Sequence, residues 1–159
     1  MIDKQRKTNT MNKNIMRSSI IKKSSTRDEF YTTESTAISF VSPLGDNGFY
    51  AGKHIFCNCD GPESEIYKVL KKNFKKWNLA SLEACQYVKD GFGKHTIYNN
   101  EKDEDIVELL PDNGSYDSPS SLEILGRSDI VVTNPPFSKQ DHFISMLMEL
   151  DKKFAIICN

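Results

Sequence analysis

The sequence predicts an α/β fold built on a mainly parallel sheet, and two observations carry that expectation. Short apolar runs rich in β-branched residues alternate with segments whose apolar residues recur at three-to-four spacing. The runs at residues 129–133 and 154–158 are apolar on both faces, as strands are when helices cover the sheet on either side. In such sheets ligands lie outside the carboxyl ends of the strands. The polar residues that directly follow each run are therefore the first place to look for a site.

Taken in order, residues 34–41 predict a short helix ending before Ser42-Pro43, and Leu44-Gly45-Asp46-Asn47-Gly48 reads as a turn. Residues 53–59 form an apolar strand stopped by Asp60-Gly61-Pro62. Residues 63–77 predict a helix on the spacing of Ile66, Val69, Leu70, Phe74 and Trp77. Residues 81–88 are a second strand, 89–105 a loop or edge hairpin, and 106–110 a third strand. A helix over 121–125 closes at Gly126, and 129–133 is a buried strand bounded by Asn134-Pro135-Pro136. A helix over 141–150 has Phe143, Ile144, Leu147 and Leu150 on one face, and the apolar strand 154–158 ends the sequence at an open sheet edge.

Charge divides the chain. Residues 1–27 carry eight Lys or Arg and one Asp, whereas the whole 159-residue chain has a net charge of −1. This leading stretch has no apolar period and reads as a disordered basic tail, ahead of a single domain over 28–159. Two roles stand for the tail: a solubilising leader, or an arm adding sequence-blind phosphate contacts. No run approaches the ~20 apolar residues that a membrane span requires. Cys57, Cys59, Cys85 and Cys158 all lie in or beside apolar segments, as reduced, buried thiols of a cytoplasmic protein would. Cys57-x-Cys59 lacks a second pair at ligand spacing and predicts no metal site. Lys71, Lys72, Lys75 and Lys76 read as a solvated helix face rather than a DNA patch.

The chemistry concentrates in Asn134-Pro135-Pro136-Phe137. An apolar strand running into Asn-Pro-Pro-aromatic resembles the signature of methyltransferases acting on planar amino groups. An exocyclic amine is a poor nucleophile because its lone pair is delocalised into the ring. The Asn134 side-chain oxygen and the Pro135 carbonyl would accept its two N–H bonds and localise that pair. Pro135 and Pro136 would hold the acceptors in place beforehand, and Phe137 would offer a stacking face to a flipped base. The plainer reading is a stiff Asn-Pro turn after a strand.

Four segments together resemble the EcoRI-type adenine-specific DNA methyltransferases: residues 28–32 (Asp28-Glu29-Phe30-Tyr31-Thr32), 55–60, 129–137 and 151–154. The resemblance covers residues 28–159. It implies a Rossmann-like, S-adenosylmethionine-dependent methyltransferase fold, C-terminally incomplete, that transfers a methyl group to adenine N6 in DNA. It also implies that Asp28, Phe30, Tyr31 and Thr32 lie against the methionine end of the cofactor. Asn58, Cys59 and Asp60 would replace the usual glycine-rich loop. Asp112 or Asn113, in the loop at 111–116, would read the cofactor's adenine. Each loop also has a plain structural reading, as helix caps, strand ends or turns. Relatives continue past this sequence, so the expected partners are DNA and a second chain supplying further strands and target recognition. Two alternatives stand beside this: a non-catalytic remnant that binds cofactor or partner, and an RNA or protein amino-group methyltransferase.

Overall fold

The protein is described by a computed structural model over residues 31–158, so the basic tail and the candidates Asp28 and Phe30 lie outside the described residues. Helix α1 spans Glu34–Asp46, starting where the Thr33 hydroxyl accepts from the Thr36 amide at 3.3 Å. Strand β1 (His54–Cys57) follows, then helix α2 (Glu65–Lys72), capped by the Ser64 hydroxyl accepting from Tyr67 N. Strand β2 (Ser81–Gln86) leads into a hairpin of β3 (Lys94–Asn99) and β4 (Glu104–Leu109). Helix α3 (Pro119–Arg127) begins with proline in its first turn under a Ser118 cap, where a missing N–H costs nothing. Strand β5 (Ile130–Thr133), a 3-10 turn (Phe137–Lys139), helix α4 (Gln140–Glu149) and strand β6 (Lys153–Ile156) complete the order.

The six strands form one sheet in the order β4-β3-β2-β1-β5-β6. β2, β1, β5 and β6 run parallel, while the β3–β4 hairpin joins β2 antiparallel. Side-chain alternation feeds two cores. Ile55, Cys57, Leu82, Ala84, Ile130 and Val132 pack with α1 and α2 residues. Phe56, Cys85 and Val131 pack on the other face with Ile124, Leu125, Phe143 and Leu147. The centre of the sheet, residues 55–57 of β1 and Ile130–Thr133 of β5, is buried because both faces are covered. No helix among the described residues is long and apolar enough to cross a membrane.

Several expectations shift. The first helix does not stop at Ser42 but runs through Pro43 to Asp46. Its last turn is held by Asn47, whose side chain donates to Pro43 O at 2.7 Å, and by burial of Gly45 beneath Trp77. A Cβ on Gly45 would meet the Trp77 ring at 2.3 Å, so packing overrides the proline signal there. The second helix ends at Lys72 rather than Trp77, because the Asn73 side chain takes Val69 O at 2.9 Å. Gly126 does not close α3, which continues to Arg127. Of the two readings of the polar segment after β2, the edge hairpin is the one found, with its second strand starting at Glu104 rather than at 106. Cys158 is exposed rather than buried, and Cys59 is only partly covered; Cys57 and Cys85 are buried as expected.

Candidate active site

The pairing of β1 with β5, Ile55 beside Ile130 and Phe56 beside Val131, brings two strand ends together. Residues 58–60 leave β1 next to the point where Asn134 leaves β5. Thr133, fully buried, joins them: its hydroxyl accepts from Cys59 N at 3.0 Å and donates to the Asp60 carboxylate. The same Asp60 oxygen accepts from Asn134 N at 2.8 Å. One carboxylate therefore fixes both loops. Burial pushes the Asp60 carboxyl above its usual range, and donation from Thr133, Asn134 and Ser64 pulls part of that back.

The network extends outward on two sides. Asn134 Nδ2 donates to the Thr32 hydroxyl at 3.1 Å, so the segment before α1 reaches the Asn-Pro-Pro-Phe turn. Asn58 Nδ2 donates to Tyr116 O at 3.3 Å, tying the β1 loop to the loop after β4. Tyr116 packs edge-on against Phe143 at 5.2 Å and shares a hydrogen bond with His142 Nδ1 at 2.7 Å. Asn58 is almost wholly buried, yet its Oδ1 has no hydrogen-bond partner among the described residues. An orphaned acceptor of this kind fits a ligand that brings an N–H or O–H donor.

Of the residues expected at the site, Thr32, Asn58, Cys59, Asp60 and Asn134 share this one network. Pro135 is buried and Pro136 and Phe137 partly so as the turn enters the 3-10 segment. Tyr31 is 88% exposed and stands outside the network. Asp112 and Asn113 spend their side chains on their own loop. Asp112 accepts from Gly114 N and Ser120 N, both at 2.9 Å, and Asn113 accepts from Ser115 N at 3.0 Å. Burial pushes the Cys57 and Cys59 thiols up, which keeps them protonated. Among the described residues no group of three metal-ligating side chains occurs.

Sequence reading missed two members. Thr133 counted only as a β-branched strand residue; its place as the last hydroxyl before a polar turn was the available signal. Tyr116 was noted in its loop, but its contribution is a backbone carbonyl, which no side-chain pattern reveals.

Residues 20–159 match the family described as adenine-specific methyltransferase EcoRI. Over 154 residues the chain is 34% identical to the Type II methyltransferase M.EcoRI of Escherichia coli, covering 86% of this chain and 47% of that protein. It is 35% identical over 137 residues to the Type II methyltransferase M.MpnI of Mycoplasma pneumoniae, covering 85% of this chain and 41% of that one. A Type II methyltransferase of Mycoplasma genitalium, M.MgeORF184P, is 33% identical over 109 residues, 68% of this chain and 34% of the relative. The chain thus spans less than half the length of each of these relatives. No solved structure matches it. The family match covers nearly the whole chain and agrees with the sheet order and the joined strand ends: this chain belongs to the EcoRI-type adenine-specific methyltransferase family.

Proposed function

We propose that this site methylates the exocyclic N6 of a flipped adenine in DNA, at a specific sequence, using S-adenosylmethionine. The observation that carries the reading is the seat of Asn134 at the carboxyl end of β5. Its backbone is fixed by Asp60 and its amide nitrogen by Thr32. S-adenosylmethionine, when bound, supplies an electrophilic methyl group on a sulfonium sulfur. Residues Thr32, Asn58, Cys59 and Asp60 would hold it, with Asn58 Oδ1 accepting one of its donors. Asp112 supports this pocket by shaping the loop that carries Tyr116.

Asn134 Oδ1 and the Pro135 carbonyl then accept the two N–H bonds of the amine, drawing its lone pair out of the ring. The acceptors are set before the base arrives, so little reorganisation is needed. Phe137 stacks on the extruded base and the buried Pro135 limits water. Burial that raises the Cys57 and Cys59 thiols disfavours them as nucleophiles, in keeping with direct transfer.

The test separates binding from chemistry. Titration calorimetry with S-adenosylhomocysteine should give saturable heat with the full chain and with Asn134→Ala alike. In a form competent for methyl transfer, Asn134→Ala should lose ~3–4 kcal/mol of transition-state stabilisation, a rate loss of about a hundred- to a thousandfold. Near-parental transfer to adenine by the variant would overturn the assignment, and absent heat from folded protein would overturn the cofactor reading.

A further inference from the structure

A second concavity lies away from the site just described. Five lysines, Lys68, Lys71, Lys72, Lys75 and Lys76, fall within nine residues of a chain whose net charge is −1. The sequence alone makes them a solvated face. Instead, four of them, Lys68, Lys71, Lys72 and Lys75, line one side of a half-open groove of about 500 Å³. Phe74 and Tyr98 also line it, with Asn100 and Asp103 from the β3–β4 turn. The register places Lys94 beside Gln86 and Ile97 beside Glu83, so Asn100 lies past the amino end of β2. That is the end of the sheet opposite Asn134.

The lining residues differ in chemistry. Lys68 is paired with Glu65 at 2.9 Å, and Lys71 with Asp105 at 2.7 Å while lying over the Tyr98 ring. Lys72 and Lys75 are exposed, and no carboxylate among the described residues pairs with them. They stand three apart on the chain and both line the groove. The lining also offers acceptors. Asp103 takes the Tyr98 hydroxyl at 2.8 Å, and Asn100 Oδ1 is buried with no hydrogen-bond partner among the described residues. A ligand suited to both kinds of residue carries phosphate together with N–H or O–H donors, within the volume of a small-molecule pocket.

We propose that this groove is a nucleotide site, separate from the methyl-transfer site: Lys72 and Lys75 take the phosphates, and Asn100 takes a base or ribose donor. Bare pyrophosphate would satisfy only the lysines. Duplex DNA would satisfy them through its backbone without using Asn100.

The test is equilibrium binding of ADP to the full chain in the presence of saturating S-adenosylhomocysteine, which occupies the cofactor site. Melting curves check that each variant is folded. Lys72→Glu/Lys75→Glu should weaken ADP about tenfold or more, the loss of two charge-assisted contacts. Asn100→Leu should weaken ADP several-fold while leaving pyrophosphate binding unchanged. The proposal is overturned if ADP does not bind, or if the lysine double variant binds it as well as the parent. It is equally overturned if pyrophosphate binds as tightly as ADP, or if a short duplex competes through the same lysines with Asn100 irrelevant.

Discussion

Thr133→Val is the sharpest probe of the joined loops, because it removes one hydroxyl without changing size. In the structure that hydroxyl holds Cys59 N at 3.0 Å and donates to a nine-tenths-buried Asp60. Losing a donor to a buried carboxylate costs about 1.5–3 kcal/mol, and orphaning the Cys59 N–H about 1 more. The added methyl returns roughly 0.8 kcal/mol of apolar burial. The net loss is about 2–3 kcal/mol, or a melting temperature lower by roughly 8–12 °C for a domain of this size. The pH dependence has a definite sign. Asp60 is raised above 3.8 by burial, so its contribution to stability is complete at pH below that value and is lost as pH rises through the folded-state pKa. Removing the Thr133 donor raises that pKa further, so the deficit should be small in acid and largest near neutrality. Calorimetric melts from acid to neutral pH measure it, with Asp60→Asn as the second arm of a double-mutant cycle. Melting within about 2 °C of the parent at neutral pH, or an equal loss in the Asp60→Asn background, would refute the shared-carboxylate account.

Other expectations follow from single contacts. Gly114 sits at φ +69°, where an added Cβ would lie 2.8 Å from Gln86 O; Gly114→Ala should therefore cost about 2–3 kcal/mol in urea unfolding, and a neutral result would discredit the close crossing. Burial raises the Glu83 carboxyl, but bonds from His95 and Arg127, both at 2.6 Å, outweigh it and leave it below its ordinary value. Its stabilisation is thus present above the unfolded carboxylate range and fades as pH falls through the lower folded value. Glu83→Gln should lower stability by about 1–2 kcal/mol at neutral pH, discounted for the half-exposed Arg127, and converge with the parent in acid. A loss that persists undiminished in acid would show that packing, not charge, is responsible.

The strands that make the sheet interior were legible because burial on both faces leaves an unbroken apolar run, as at Ile130–Thr133. What escaped was decided by tertiary contact. Pro43 reads as a stop, but Trp77 lying on Gly45, far along the chain, stabilises one more turn. Residues 89–105 left loop and edge hairpin both open, and the start of β4 at Glu104 escaped, because that edge strand, with Val107 and Leu109 exposed, has no buried face to impose a period. The network that joins the strand ends was legible where its members are distinctive polar side chains, as with Asn58, Asp60 and Asn134. It was less so where a residue's job is set by its neighbour. Asp112 has the composition of a ligand residue, yet its oxygens go to Gly114 and Ser120 amides.

The hydroxyl between Asp60 and the amide of Cys59 also limits which sequences this architecture tolerates. A hydrophobic residue at position 133 strands a buried charge, and an apolar residue at position 60 leaves both the Thr133 hydroxyl and the Asn134 amide looking for an acceptor. Either change alone lowers stability, by about 2–3 kcal/mol at position 133, so the two positions should drift as a pair. Exchange at one would favour a compensating exchange at the other. Seventy-three residues of chain separate them, and a recombination point anywhere in that interval would split the pair. Chimeras that take the first loop from one family member and the second from another should therefore melt lower when the parents differ at either position.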